Sequence, residues 1–379
     1  MTNVILDGSS FDALDALSPY QGLSGGASAD NGFVVKNSLI NQDPALCATA
    51  SGVVKELWAK HSSMTKQRFT DGYRRQGTAT KESTATTANT QNVGIDMSEL
   101  TLYRLDQQDV IPQSKLASGA FADVLYGTYK GIPVAVKKLL SSRVGVNEVQ
   151  GLIDEIKLLA SFTSPYIIKL IGCCWDQPSD LECVLEYMNA GDLRDNLITR
   201  DSVEFPWNEK LKVIAAVVDG LAYLHSFPVI HRDLKSRNVL MDTVKPAKLT
   251  DFGVSKEDTQ ETMTVGVGTY RWMAPEILQF NHYSVAADIF SFGMVLSELD
   301  SHKIPYADVT NPKNGKPLVD TAIMGMVITG TIKPTFSDDM PEWIRDMAEQ
   351  CISFNPEDRP TAMVLSHIVH KLLKRSTAR

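Results

Sequence analysis

The chain has 379 residues, 43% of them hydrophobic and 22% charged, with a formal net charge of −8. That balance is ordinary for a globular protein and leaves ample apolar material for a core. The first 99 residues carry 8 basic and 10 acidic side chains, so −2 of the charge lies there and −6 in the rest. Neither part has the basic surplus of a general nucleic-acid-binding protein.

The five cysteines, Cys47, Cys173, Cys174, Cys183 and Cys351, are odd in number, irregularly spaced and without a CxxC pair. That argues against a disulfide framework or a zinc site and fits a reducing compartment. The first residues have no basic n-region, and no apolar run reaches the roughly 18 residues of a spanning helix. The expectation is a soluble, cytoplasmic, monomeric chain without a transmembrane segment.

Residues 1–52 are rich in Ser, Gly, Ala, Asn and Asp and read as weakly ordered. In 53–75, Val54, Leu57, Trp58, His61 and Met64 recur at three- and four-residue spacing, which predicts an amphipathic helix. Its many Lys and Arg suit docking on the following domain or on a partner. Residues 76–95 are Thr-rich, nearly without bulky apolar groups, and read as a linker. Residues 1–99 are thus an N-terminal extension.

From about Leu100 the pattern changes. Val124-Leu125-Tyr126 and Val134-Ala135-Val136 are short β-branched or aromatic runs separated by Gly127 and Gly131, which predicts successive antiparallel strands. Over 147–162, Val149, Leu152, Ile153, Ile156, Leu159 and Ala160 form a helical stripe. Strand-like runs follow at 167–171 and 183–187. Beyond Gly191 the text is mainly helical, with long buried helices expected at 211–218 and 288–299. A small antiparallel sheet with one helix, followed by a larger helical part, predicts an α+β fold of two lobes with a cleft between them.

The polar residues in this frame suit phosphoryl transfer. Moving a phosphoryl group from a nucleotide to a hydroxyl calls for backbone N–H donors, cations and a divalent metal for the phosphates, and a group to orient the acceptor and take its proton. Leu116-Ala117-Ser118-Gly119-Ala120-Phe121-Ala122-Asp123-Val124 suits a tight strand-turn-strand whose N–H groups face phosphate. Lys137 ends a strand in an apolar setting and needs a partner, for which Glu155 on the next helix is placed. His231-Arg232-Asp233, Lys235 and Asn238 put a carboxylate, an ammonium and an amide within six positions, and Asp251-Phe252-Gly253 follows a strand-like Lys248-Leu249-Thr250.

These residues resemble the protein-kinase signature set. The resemblance covers residues 109–373, about 70% of the chain, and includes Val134-Ala135-Val136-Lys137, Met273-Ala274-Pro275-Glu276, Asp288-Ile289-Phe290-Ser291-Phe292-Gly293 and Asp358-Arg359-Pro360 in the family's order. It implies that Lys137 holds the α/β-phosphates and pairs with Glu155. Asp233 orients the substrate hydroxyl, Lys235 offsets γ-phosphate charge, and Asn238 and Asp251 hold Mg2+. ATP is covered by Leu116, Ala117, Ser118, Gly119, Ala120 and Phe121. Its adenine lies between Val124, Ala135 and Leu240, with hinge hydrogen bonds from the backbones of Glu186 and Met188 and Leu185 as gatekeeper. Leu159, Leu170, Phe252 and His231 stack as a spine, and Glu276 and Arg359 form a structural ion pair.

The family has glycine where Ala117 and Ala122 stand, so a stiffer loop is expected. Lys235 matches the serine/threonine pattern, and Gly268-Thr269-Tyr270-Arg271-Trp272-Met273-Ala274-Pro275-Glu276 resembles the tyrosine-kinase-like group, in which Thr269 contacts the catalytic loop. Trp272 also resembles tyrosine kinases, so dual specificity stands as an alternative, as does a kinase-fold scaffold without activity. Arg232 implies a phosphate gathered from the loop that follows Asp251, with Thr259, Thr262 and Thr264 as its candidate carriers and an upstream kinase as a partner beside the protein substrates.

Overall fold

The computed structural model describes residues 95–252, 269–280, 283–311 and 314–377. The helix expected at 53–75 lies outside them, as do Thr259, Thr262 and Thr264.

The strand runs read from the sequence form one sheet. β1 (Val110–Ser118), β2 (Ala122–Tyr129), β3 (Ile132–Leu139), β4 (Leu170–Cys174) and β5 (Glu182–Glu186) lie in the order β1-β2-β3-β5-β4, each pair antiparallel. Lys130 and Gly131, at φ 50° and 79°, make the two-residue turn between β2 and β3. Two positive φ values match the twist of a right-handed hairpin, and the glycine accepts the second at no steric cost. One face buries Val110, Val134, Val136, Cys174 and Val184. α1 (Val146–Ala160) buries Val149, Leu152, Ile153, Ile156 and Leu159, the stripe expected from its spacing.

The strand expected at 167–171 sits three residues later. Ile167 and Ile168 are diverted toward Leu249, through a bridge at Ile167 and a hydrogen bond from the Ile168 N–H to the Leu249 carbonyl at 2.9 Å. Both side chains are buried there, outside the five-stranded sheet.

The larger lobe is helical: α2 (Leu193–Thr199), α3 (Trp207–Ser226), α4 (Pro275–Phe280), α5 (Val285–Ser301), α6 (Asp320–Ile328), α7 (Glu342–Cys351) and α8 (Ala362–Thr377). α5 is buried on nearly every side, from Ala287 to Leu299, and is the helix on which the lobe packs. A short hairpin of β6 (Val239–Leu240) and β7 (Lys248–Leu249) stands at the cleft. Cys173, Cys174, Cys183 and Cys351 are free and buried. Among the described residues no helix is long and apolar enough to cross a membrane.

Candidate active site

Strand alternation assembles the upper wall of the cleft. In the register of β2, β3 and β5, Val124 faces Lys137, and Ala135 faces Leu185. Side chains two apart on one strand share a face, so Val124, Ala135, Lys137 and Leu185 look the same way. Lys137 Nζ lies 2.7 Å from Glu155 Oε1 on α1 and 2.7 Å from Asp251 Oδ1. Burial works against the ammonium, but Asp251 and Glu155 outweigh it and hold the Lys137 pKa above the usual lysine value. The same ammonium draws the Asp251 carboxyl below its usual range.

The lower wall is the segment after α3. Asp288 of α5, itself buried, accepts the His231 N–H at 2.8 Å and the Arg232 N–H at 3.0 Å, which fixes the chain entering Asp233. Arg232 and Asp251 both have positive φ, 69° and 56°, a strained conformation for residues with side chains that a rigid surrounding must maintain. Lys235 Nζ donates to both Asp233 oxygens, at 3.0 and 3.2 Å, and to Thr269 Oγ1 at 3.3 Å. Asn238 Nδ2 donates to the Asp233 carbonyl at 2.7 Å and to its Oδ2 at 3.3 Å. Pairing of Val239 with Leu249, and the Thr250 N–H on the Asn238 carbonyl at 3.1 Å, set Asn238 beside Asp251.

Behind these groups His231 is fully buried with its ring 5.1 Å from Phe252. Burial lowers its pKa, so the imidazole packs as a neutral ring. Leu159 is buried and Leu170 half-buried. Arg359 grips Glu276 with two bonds of 2.6 and 2.9 Å.

The turn between β1 and β2 is tight. Ala117 pairs with Val124 and Ser118 with Asp123, which leaves Gly119, Ala120 and Phe121 at the tip. The Gly119 N–H is spent on the Ala122 carbonyl at 2.8 Å, so it is turned inward and not toward a ligand. Ser118 Oγ donates to Asp123 at 2.5 Å, and Lys115 pairs with the same carboxylate at 2.9 Å. Leu116 and Phe121 are exposed. Ala117 and Ala122 sit in the ladder and neither has positive φ, so the expected cost of lacking glycine there does not arise in this conformation.

At the back of the cleft Leu185 and Met188 are buried and Leu240 half-buried. The Glu186 N–H bonds to the Lys169 carbonyl at 3.0 Å, and its carboxylate takes Lys248 at 2.5 Å. Arg232 lies over the Tyr283 ring at 5.5 Å.

Three groups at the site have roles that local spacing did not reveal. Asp192 caps α2, bridges to Leu240 and pairs with Arg237 at 2.9 Å, which brings a carboxylate to the cleft edge. Asp288 stands inside a motif recognised above but without a role. Glu298, fully buried on α5, accepts Ser236 Oγ at 2.6 Å, the Ser236 N–H at 3.3 Å and Trp272 Nε1 at 2.8 Å. It thereby ties the segment that carries Asp233 and Ser236 to the segment before α4.

The model of the protein kinase domain matches residues 111–371. The chain belongs to the protein kinase family. Serine/threonine-protein kinase STY17 of Arabidopsis thaliana is 32% identical over 273 residues, 72% of this chain and 46% of that protein. STY46 of the same plant is 33% identical over 282 residues, 74% and 46% of the two chains. An EPD1-interacting receptor-like cytoplasmic serine/threonine-protein kinase of Nicotiana benthamiana is 34% identical over 269 residues, 67% and 56%. The chain therefore spans about half the length of the curated relatives it matches.

Proposed function

We propose that this chain is a serine/threonine protein kinase that moves the γ-phosphoryl group of ATP to Ser or Thr hydroxyls of protein substrates. The observation that carries this reading is the meeting of two constellations across one cleft. Lys137 is held by Glu155 and Asp251 above, and Asp233, Lys235 and Asn238 are bonded to one another below. The names of the relatives, and Lys235 reaching both Asp233 and Thr269, favour Ser/Thr acceptors.

In this reading Asp233 receives the acceptor hydroxyl's hydrogen bond and then its proton as the new P–O bond forms and the bond from phosphorus to the leaving diphosphate breaks. Lys235 keeps that carboxylate oriented and places a cation where charge gathers on the transferred group. Lys137 offers an ammonium to the phosphates, and Glu155 fixes its direction. Kinases as a family use Mg2+, and the residues fit it. Asp251 is half-exposed with one oxygen on Lys137, and Asn238 has committed its amide nitrogen to Asp233, so both have an oxygen to offer a hard cation. Among the described residues no group of three or more His, Cys, Asp or Glu could hold a metal ion alone. Magnesium is commonly held by one or two protein oxygens together with phosphate. When bound, the ion supplies neutralisation of phosphate charge.

The test is phosphorylation of peptide arrays by the full chain and by Asp233→Asn, with phosphoamino-acid analysis. Phosphoserine or phosphothreonine, lost by at least 100-fold in Asp233→Asn while ATP still binds, is the expected result. Phosphotyrosine alone, or no transfer by the unaltered chain in any phosphorylation state, would overturn it.

A further inference from the structure

Residues 95–110 precede the part of the chain that matches the family domain, yet they are built into the smaller lobe. Ser98–Tyr103 forms a 3-10 turn that packs against both α1 and β4. Leu100 at its centre is fully buried, while Leu102 beside it is 87% exposed, so the turn has a definite inner side. Glu99 pairs with Lys157 of α1 at 3.1 Å. Arg104 then bridges to Cys173 of β4, and the Leu105 N–H bonds to the Cys173 carbonyl at 2.8 Å, which covers the open edge of the sheet. The Arg104 guanidinium lies 4.4 Å from the Trp175 ring centre and donates to the Trp175 carbonyl at 2.7 Å.

Gly172 supplies an independent sign that this crossing is close. A Cβ on Gly172 would stand 2.6 Å from Leu105 Cγ and 2.6 Å from the Tyr103 carbonyl oxygen. A side chain at 172 would force the crossing segment to shift, since one of the atoms it meets is the Tyr103 carbonyl oxygen of the backbone.

Among the described residues two ion pairs leave α1, and they start two positions apart: Glu155 to Lys137, and Lys157 to Glu99. The first belongs to the active site and the second to the preceding segment. We propose that residues 98–105 are a brace that positions α1, so that Glu155 meets Lys137 only while the brace is seated on β4 and α1. Leu100 and Leu105 are positioning residues; they act through Glu155 and touch no reacting group. This rests on the kinase reading for its effect on ATP, but not for the seating itself.

The experiment uses the full chain and three variants. Leu100→Ala empties the brace's inner side. Gly172→Ala dislodges it from beneath without altering any residue of the brace. Leu365→Ala removes a fully buried leucine from α8 in the other lobe and controls for lost stability. Hydrogen exchange of α1 amides and the KM for ATP are measured at a temperature where all four proteins are folded. The expected result is α1 exchange at least tenfold faster and KM for ATP about tenfold higher in Leu100→Ala and Gly172→Ala, with both within twofold of the unaltered chain in Leu365→Ala. Exchange in α1 no faster than in the control overturns the brace. Faster exchange with unchanged KM overturns its positioning role. If the unaltered chain transfers no phosphate, the kinase reading fails instead, and exchange together with equilibrium binding of Mg-ATP still decides the brace.

Discussion

Glu298 is a carboxylate without water around it. Burial pushes its pKa up to about 7 from 4.5, with the bonds from Ser236 and Trp272 pulling the other way. An acid whose folded pKa exceeds its unfolded value holds its proton more tightly when folded. Its contribution to folding is therefore complete below pH 4.5 and is lost as pH rises toward 7. At about 1.4 kcal/mol per pH unit, the loss is of order 3 kcal/mol across that window. Glu298→Gln removes the titration and keeps the shape. Urea unfolding at several pH values should show the unaltered chain losing stability relative to the variant between pH 4.5 and 7, and a constant difference above it. A parallel pair of curves through the whole range would contradict the assignment. Glu298 was not legible in the sequence because its neighbours Leu296 and Leu299 read simply as a buried stripe. Asp233, Lys235 and Asn238 stand within six positions, so their meeting in the structure was legible from spacing.

At the scale of elements, the turn between β1 and β2 shows how context replaces composition. Ala117 and Ala122 look like missing glycines in a list of residues, but in the ladder they are ordinary extended positions. Restoring glycine should cost about 0.5–1 kcal/mol at each site through added freedom in the unfolded chain. It should leave the KM for ATP within about twofold. Thermal unfolding and steady-state kinetics of Ala117→Gly and Ala122→Gly check this; a clear gain in ATP affinity would show that the methyl groups obstruct the ligand after all. The helix α1 and the strands β2, β3 and β5 could be placed from periodicity, which is local. The displaced start of β4 could not, because Leu249, which draws Ile167 and Ile168 away, lies some 80 residues further along. The brace was invisible for the same reason: Leu100 and Arg104 find their partners on α1, at Cys173 and at Trp175, and nothing in residues 98–105 alone announces them.

At the scale of the molecule, separate stretches of chain are tied by a few buried charges. Arg359 holds Glu276 and also donates to the carbonyls of Ser353 at 2.8 Å, Phe354 at 3.1 Å and Ala286 at 3.0 Å, so one guanidinium joins α4, α5 and the turn before α8. Arg359→Ala leaves a carboxylate enclosed and unpaired, and should cost about 3–5 kcal/mol. Arg359→Leu combined with Glu276→Leu should cost less than Arg359→Ala alone, since no isolated charge is left behind. Denaturant midpoints of these variants read the difference directly, and a double variant weaker than the single one would count against this account. The pair was legible from its two motifs, while the three carbonyls it also serves were not.

The pairing of Lys137 with two carboxylates also sets an electrical condition on the cleft. Lys137 and Lys235 face Glu155, Asp233 and Asp251, so these five groups carry two formal positive charges and three negative ones. A bare nucleoside triphosphate brings further negative charge to a site that is already one short of neutrality. Repulsion at a few ångströms in a partly enclosed cleft is strong enough to matter. Under the kinase reading, charge balance favours a nucleotide that arrives with its cation over the bare one, and it does so beside the oxygens that Asp251 and Asn238 have to offer that cation.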